Sequence, residues 1–472
     1  MRVKTFLLLA ALFVLLAAPA TARAGGPTML IGATEDAVRQ PTLVGAKAQM
    51  DLLALAGFNA VRVTQIWTPG DTKPSADDVR SLRNVEQAGR LDGVQVLLSV
   101  MNFGSRTTPL TEETRGEFAD YAAALARALP QIRYFVIGNE PNLNRYWLPQ
   151  FNPDGSDAAA PAYEALLEQA YDSLKAVSAK IFVLGGALSP HGGDDPTSTR
   201  QTHSPTAFIT DLGAAYRASG RTRPIMDGLT MHPYEDNSSV APVDGKHPNS
   251  TSIALADYDK LVALLGEAFD GTHQRGSTLP IYFDEFGVET EIPPAKANLY
   301  TGTEPKTVKP VSESVQGKYY RQAIQLAFCQ PNVRGLFIFH TIDEGDLNRW
   351  QSGLFYIDRM AKSDLPVVRT AIAQAHRGVV TSCPGLALRP RATLKVTGSR
   401  LRLTCDIDCN YAIVVRSGRR RIAQLKGRAV GAVTKTIRLA RLSPGSYSVT
   451  ATLRAPVNPG PPRLVRATFE VS

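Results

Sequence analysis

Two glutamates stand where short aliphatic runs end, at widely separated places in the chain. Glu140 closes the run YFVIGNE at 134–140, and Glu285 closes the run IYFDE at 281–285. Core packing does not explain a carboxylate at such a position, because burying an unpaired charge is costly. Two carboxylates that face one another can cleave a glycosidic bond, since one protonates the leaving oxygen while the other attacks the anomeric carbon or activates water. We therefore take Glu140 and Glu285 as the candidate catalytic pair.

The segments around these glutamates belong to a pattern in which strand and helix alternate eight times over residues 27–377. Serial strand–helix units build a parallel sheet with right-handed crossovers, and eight of them close into a (β/α)₈ TIM barrel. The alternative, an open doubly wound sheet, lacks support because no glycine-rich phosphate motif follows any strand. The predicted strands are 28–33, 60–66, 94–100, 134–137, 180–185, 228–231, 280–286 and 334–339, and the predicted helices are 43–56, 76–88, 111–129, 163–177, 206–219, 256–269, 315–328 and 365–375.

In a barrel of this kind, functional side chains lie at the C-terminal ends of the strands. Three of the connections that leave this end are long and rich in Pro, Gly, Asp and Ser: 189–205, 235–252 and 290–314. Long connections without secondary structure usually cover or line something in a compact domain. We expect these loops to form the walls of a substrate cleft.

Three short motifs at predicted strand ends resemble those of the large clan of retaining (β/α)₈ glycoside hydrolases, clan A. They are GNEP at 138–141, MHPY at 231–234 and FDEFG at 283–287. The resemblance spans the whole predicted barrel, and it implies that Glu140 is the acid/base and Glu285 the nucleophile of a covalent glycosyl-enzyme mechanism. Strand periodicity sends Asp284 and Glu285 to opposite faces, and the motif favours Glu285 as the inward residue.

The same resemblance implies supporting residues around the pair. Asn139 matches an asparagine that hydrogen-bonds the sugar 2-hydroxyl, and Tyr234, beside His232 on the sixth strand, matches a tyrosine that orients the nucleophile. Arg62 matches an arginine that keeps the nucleophile ionised. Two other interpretations stay open: Arg62 as an ordinary salt-bridging residue, and His232 as a buried, hydrogen-bonded histidine.

The floor of the sugar site departs from the clan. Many relatives carry a tryptophan at the end of the eighth strand, where this chain has Phe339 and His340. Either His340 takes that place or Trp350 reaches in from the following loop. The acidic residues beyond could bind sugar hydroxyls or belong to an exposed loop; they are Asp343, Glu344 and Asp346.

Two further tryptophans follow strand ends and are predicted to be sugar platforms. Trp67 and Trp147 lie just past the second and fourth strands, where exposed aromatic rings commonly stack on sugars. Asn102, at the end of the third strand, is interpreted either as a ligand for a sugar hydroxyl or as a turn former.

The N-terminus has the features of a secretory signal peptide, residues 1–24. Arg2 and Lys4 precede an apolar run at 6–18, and small residues before position 25 suit cleavage after Ala24. An uncleaved anchor is the alternative, but the run is short for a membrane-spanning helix of about 20 residues. We expect a secreted, extracellular protein with no transmembrane anchor.

An oxidising compartment would allow the four cysteines to form two disulfides. Cys405 and Cys409 are close in sequence, and Cys329 and Cys383 would tie the late barrel to the segment that closes it. A zinc site is the competing use of four cysteines, but the spacing is unusual for one and no histidine cluster accompanies them. We therefore predict disulfides and no metal.

The chain after residue 384 changes in both pattern and charge. Short alternating runs predict a small antiparallel β-sandwich of immunoglobulin-like form over 385–472, following a barrel domain over 25–384. The tail carries a net charge of +14, whereas the barrel carries −8. Arginines 419–421 and their neighbours could dock on an anionic cell-wall polymer, or they could simply balance the acidic barrel. Nucleic acid is not expected to be a partner of an exported chain.

The function predicted from these residues is a secreted retaining glycosidase, acting as a monomer on an oligo- or polysaccharide. No serine-hydrolase elbow, zinc-protease motif or calcium loop is found, so cofactor-free hydrolysis fits. The alternative from another class is a noncatalytic carbohydrate-binding or wall-associated protein on the same barrel. A transglycosylase would use the same residues.

Overall fold

The computed structural model describes residues 28–377, 390, 392–405, 409–430, 433–440, 442–456 and 459–471. The predicted signal peptide lies outside these residues. Eight parallel strands form a closed barrel in chain order, β1 to β8, each followed by a helix, as the sequence predicted. The strands are β1 Leu30–Thr34, β2 Ala60–Trp67, β3 Gln95–Asn102, β4 Tyr134–Ile137, β5 Phe182–Leu188, β6 Gly228–Met231, β7 Ile281–Phe286 and β8 Val333–Phe339. The helices are α1 Leu43–Ala56, α2 Ala76–Asp92, α3 Glu112–Ala128, α4 Ala159–Val177, α5 Pro205–Ala218, α6 Tyr258–Phe269, α7 Glu313–Cys329 and α8 Leu365–His376.

Capping side chains fix where several of these helices begin. The hydroxyls of Thr42, Ser75 and Ser204 each accept a hydrogen bond from the backbone N–H three residues later, which satisfies a donor that the helix leaves unpaired. Gly57 and Gly93 end α1 and α2 in the left-handed conformation. These local signals fix the starts of α1, α2 and α5 and the ends of α1 and α2.

Apolar side chains fill the barrel interior, so the site must lie above it. The inner layer combines small and bulky residues contributed by most of the strands: Ala60, Leu97, Val136, Leu184, Tyr282 and Phe337. A second, larger cluster packs the outer faces of the strands against the helices. Polar side chains begin in the layer above, with Arg62 on β2 and Ser99 on β3, and continue to the C-terminal rim that the sequence predicted as the functional end.

The C-terminal region folds into two antiparallel sheets. One has the order β13-β10-β9 and the other β12-β11-β14-β15, and both contribute buried aliphatic side chains to one core. The strands are β9 Ala392–Thr397, β10 Arg400–Cys405, β11 Cys409–Ser417, β12 Arg420–Ala429, β13 Lys435–Arg438, β14 Gly445–Arg454 and β15 Arg463–Val471. The predicted domain boundary at 384 and 385 lies outside the described residues.

The cysteines within the described residues form disulfides, as predicted. Cys405 and Cys409 form a disulfide between the ends of β10 and β11. Cys329, at the end of α7, is not a free thiol, and its predicted partner Cys383 lies outside the described residues. Within the described ranges, no helix has the length and apolar character needed to cross a membrane.

The contact between β1 and β2 leaves no room for a side chain at Gly32. A Cβ there would lie 2.1 Å from the carbonyl oxygen of Ala60, and a backbone atom in a closed sheet cannot move aside cheaply. We predict that Gly32→Ala lowers the free energy of unfolding by about 1–3 kcal/mol, measured by urea unfolding. Gly116→Ala is the matched control, because a Cβ on that α3 glycine meets nothing within 4 Å. It should stabilise by up to about 1 kcal/mol, and equal effects of the two changes would contradict this account.

Candidate active site

The turn after β4 presents Glu140 at the barrel rim. Gly138 and Glu140 both have positive φ, 82° and 42°, and a left-handed non-glycine residue costs about 1–3 kcal/mol. The Glu140 N–H donates to Ala187 O at 2.8 Å. The Tyr163 hydroxyl donates to Ile137 O at 2.5 Å and accepts from Gly186 N at 2.8 Å. These bonds hold the strained turn in place.

An irregularity in β7 brings both Asp284 and Glu285 into the site, so the expectation that they point to opposite faces was wrong. Phe283 pairs with Leu336 and Phe286 pairs with Ile338, which leaves two residues of β7 opposite one residue of β8. Such a bulge re-aims side chains. The carboxylates of Asp284 and Glu285 consequently contact the same arginine.

That arginine, Arg62 on β2, is the centre of the charge cluster. Its side chain is 1% exposed; Nη1 donates to Glu285 Oε1 at 2.5 Å and Nε lies 3.1 Å from Asp284 Oδ2. Nη2 donates to Asn139 Oδ1 at 3.0 Å and to Ser99 Oγ at 3.2 Å. Arg62 thus holds Glu285 and orients Asn139, and the two interpretations of it are compatible: it is a salt-bridging residue within the site.

His232 joins the two candidate catalytic glutamates. Its Nδ1 lies 3.0 Å from Glu140 Oε1 and 3.5 Å from Glu285 Oε2, and its Nε2 lies 3.5 Å from Asp284 Oδ1. Because one nitrogen contacts both glutamates, these two oxygens can be separated by at most the sum of its two distances, 6.5 Å. Retaining glycosidases need carboxyls about 5–5.5 Å apart, and inverting enzymes about 6.5–9.5 Å. The upper limit of 6.5 Å on the separation of these two oxygens therefore equals the lower end of the inverting range.

The cluster sets the charge of its members. Burial alone would raise the pKa of Glu285, but the charges of His232 and Arg62 and the hydrogen bonds from Arg62 and Tyr234 outweigh it and lower that pKa. Burial opposes the charge of His232 as well, yet Glu285 and Asp284 raise its pKa to about 10. Glu285 is consequently held ionised and His232 protonated at neutral pH.

Aromatic rings form the wall beside Glu285. The Tyr234 hydroxyl donates to Glu285 Oε2 at 3.0 Å, and the Trp350 ring lies 4.8 Å from the Tyr234 ring and 5.3 Å from that of Phe339, centroid to centroid. Trp350 thus reaches in from the loop after β8, which is one of the two predicted alternatives. Sequence reasoning did not identify Tyr146, a half-buried residue whose pKa is raised to about 12 by burial and by the charge of Glu140.

Trp67 and Trp147 are not sugar platforms, contrary to prediction. Trp67 is fully buried, with its ring 5.3 Å from that of Phe118 and its indole N–H donating to Asp71 O. Trp147 is 1% exposed and packs edge-on against Tyr163. Both rings turn from the rim into the layer between strands and helices, so they stabilise the loops that they belong to.

Some of the remaining predicted residues line an open depression near the barrel rim, and the others stabilise loops and turns. His340 Nδ1 lies 2.8 Å from Thr34 O, and His340 and Glu344 line an open depression of about 560 Å³ at the rim. Asp343 also lines this depression, but its carboxylate is fully buried in an ion pair with Lys362 at 2.8 Å. Asn102 donates to the carbonyls of Gly104 and Tyr146, which supports the turn interpretation. Asp346 accepts from Asn348 in an exposed turn.

Solved structures with the same architecture are known. No protein-family model and no curated relative matches the chain. A family 39 glycoside hydrolase from the gut symbiont Bacteroides cellulosilyticus WH2 aligns with a TM-score of 0.52 at 15% identity, over 95% of this chain and 79% of that one. A GH5_18 variant from Streptomyces cattleya, in complex with Manβ1-4GlcNAc, aligns with a TM-score of 0.50 at 18% identity, over 76% of this chain and 84% of that one. The chain therefore has the TIM-barrel fold of these glycoside hydrolases, and at these identities the likeness shows the fold alone.

The carboxylates around His232 predict that its imidazole has an unusually high pKa. His232 should remain an imidazolium at pH 8, and Asp284→Asn should move its titration to lower pH because one of the charges that holds its proton is gone. Long-range ¹H–¹⁵N NMR spectra of the imidazole nitrogens measure this directly. Asp236→Asn is the matched control, since Asp236 lies near His191 and His247 instead. A His232 that titrates near 6.5 in the parent would contradict the charge assignment.

Proposed function

We propose that this chain is a retaining glycoside hydrolase that cleaves O-glycosidic bonds of a carbohydrate substrate by double displacement. The observation that carries the proposal is that Glu140 and Glu285 both contact His232 Nδ1. Glu285 is also ion-paired to Arg62. The ceiling of 6.5 Å on the separation of their nearest named oxygens favours direct attack by a carboxylate over attack by an interposed water.

In the first step, a Glu285 oxygen bonds to the anomeric carbon while Glu140 gives its proton to the departing glycosidic oxygen. The lowered pKa of Glu285 supplies the ionised nucleophile, and Tyr234 and Arg62 hold one oxygen each. In the second step, Glu140 takes a proton from water as the water oxygen bonds to the anomeric carbon and Glu285 departs as carboxylate. Glu140 thus ends protonated, as it began, and its original proton has left with the departing sugar hydroxyl.

The sugar would lie between the charged cluster and the aromatic wall. Asn139 has its oxygen occupied by Arg62, so its amide nitrogen is the group left to donate to a sugar hydroxyl. Trp350 and Phe339 present rings beside Tyr234, where an apolar sugar face can stack.

We also place the enzyme outside the cell. The support is the predicted signal peptide at 1–24 and the disulfide between Cys405 and Cys409, because disulfides persist in oxidising compartments. An extracellular site fits a polymeric carbohydrate substrate.

Separate tests of the two glutamates distinguish their roles. An activity screen over aryl glycosides and polysaccharides first identifies a substrate of the parent. Glu140→Gln should lower kcat/KM by about 10²–10⁴-fold, and by much less on a dinitrophenyl glycoside, whose leaving group needs no proton. Glu285→Gln should abolish turnover of both substrates, because no nucleophile remains.

Glu164→Gln is the matched control, a buried glutamate on α4 away from the catalytic pair, and it should retain parental activity. Full activity of either site variant on every substrate, or a parent that hydrolyses nothing in the screen, would contradict the proposed function.

The tyrosine at the nucleophile predicts a specific pH effect. Tyr234 helps to lower the pKa of Glu285, so Tyr234→Phe should raise that pKa and move the acidic limb of the kcat/KM profile to higher pH. Tyr216→Phe, which loses a hydrogen bond to Arg223 O on the far side of the helical layer, should leave the limb in place. An unmoved limb in Tyr234→Phe would show that the hydroxyl does not control the ionisation of Glu285.

A further inference from the structure

One outward sheet face of the C-terminal region is a patch of exposed cations. Strand alternation places Lys395 on β9, Arg400 and Arg402 on β10 and Arg438 on β13 on the side opposite the buried leucines of β10, and all four are exposed. We call these four residues the basic patch. The side chains interleaved with them are hydroxyl-bearing: Thr393, Thr397, Thr404 and Thr436.

The pairing within the basic patch is unfavourable for folding. Arg400 lies directly opposite Arg438, and Arg402 lies directly opposite Lys395. Like charges in directly opposed positions destabilise a sheet. In the described part of the C-terminal region, the one carboxylate side chain is Glu470, on β15 of the other sheet. Among the described residues of this region, no carboxylate lies on this face of the three-stranded sheet to neutralise the four cations, so we take the arrangement as a sign of an anionic partner.

We propose that the basic patch binds an acidic polysaccharide, one that carries carboxylates on its sugars. Single-stranded nucleic acid is usually held by aromatic rings that stack on bases, and the described side chains of this face include no aromatic ring. Membrane-surface elements insert apolar side chains, and this face offers threonines instead. Threonine hydroxyls between cations suit a ligand that combines hydroxyls with carboxylates. The choice of a polysaccharide rests on the proposed function of the barrel.

The dimensions of the basic patch suit a short run of sugars. Neighbouring strands are about 4.8 Å apart, and residues two apart on one strand are about 7 Å apart, so the four cations cover about 10 Å by 7 Å. Individual exposed ion pairs contribute little and are screened by salt. Binding should therefore be multivalent and salt-sensitive, and it would raise the concentration of polymer near the barrel.

The test is binding of sodium polygalacturonate to the full chain, made in the Glu285→Gln background so that turnover plays no part. Affinity electrophoresis at 50 mM NaCl should show binding by the Glu285→Gln chain that is lost at 500 mM NaCl. Replacement of Lys395, Arg400, Arg402 and Arg438 by Gln should weaken it at least tenfold. Fully methyl-esterified polygalacturonate, which has the same backbone without charge, should not bind.

The matched control removes the same charges from barrel helices and a connecting turn, where three arginines and one lysine are exposed: Arg90, Arg127, Arg369 and Lys180. Their replacement by Gln should change the affinity by less than threefold. Equal losses in both quadruple variants, equal binding of the methyl ester, or tighter binding of duplex DNA or anionic vesicles would overturn the proposal.

Thermal unfolding tests the claim that the opposed charges destabilise the sheet. Removal of these charges should leave the unfolding midpoint of the patch variant unchanged or higher, and a lower midpoint would contradict that claim. Because turnover is absent throughout, failure here leaves the proposed hydrolysis untouched.

Discussion

The structure depends on one cluster of five ionisable groups near the barrel rim, in which Arg62, His232 and Asp284 are buried and the two glutamates are partly exposed. Three carboxylates, those of Glu140, Asp284 and Glu285, surround the cations Arg62 and His232. Removing one partner from such a set leaves an uncompensated buried charge, which costs several kcal/mol. The ion pairs that hold the site in place are those of Arg62 and His232 with Asp284 and Glu285.

The barrel supplies this cluster from elements far apart in the chain. Arg62 comes from β2, Glu140 from the turn after β4, His232 from the residue after β6 and Asp284 and Glu285 from β7. A closed parallel sheet brings these residues together toward one rim, and the apolar side chains that fill the interior lie beneath them. The strained turn at Glu140 and the bulge at 283–286 are the two places where regular geometry yields to the site.

Much of this follows from the sequence, and its failures have physical causes. The strands were predictable because aliphatic runs alternate with capped, amphipathic segments, and the two glutamates stand out because nothing in core packing explains them. The alternation rule misplaced Asp284 because a bulge has no reliable sequence signal. Trp67 and Trp147 were misread because a residue at a strand end can turn either to the rim or to the helices. In the loop after Glu140, Trp147 packs edge-on against Tyr163 in the buried layer, and only tertiary contacts decide that orientation.

The most direct measurement is the configuration of the first sugar released. On any glycoside that the parent hydrolyses, ¹H NMR recorded in the first minutes separates the two anomers before mutarotation mixes them. Because Glu140 and Glu285 both contact one nitrogen of His232, we predict a product with the anomeric configuration of the substrate. A product of opposite configuration would show that water, and not Glu285, attacks the sugar, and it would contradict the central claim.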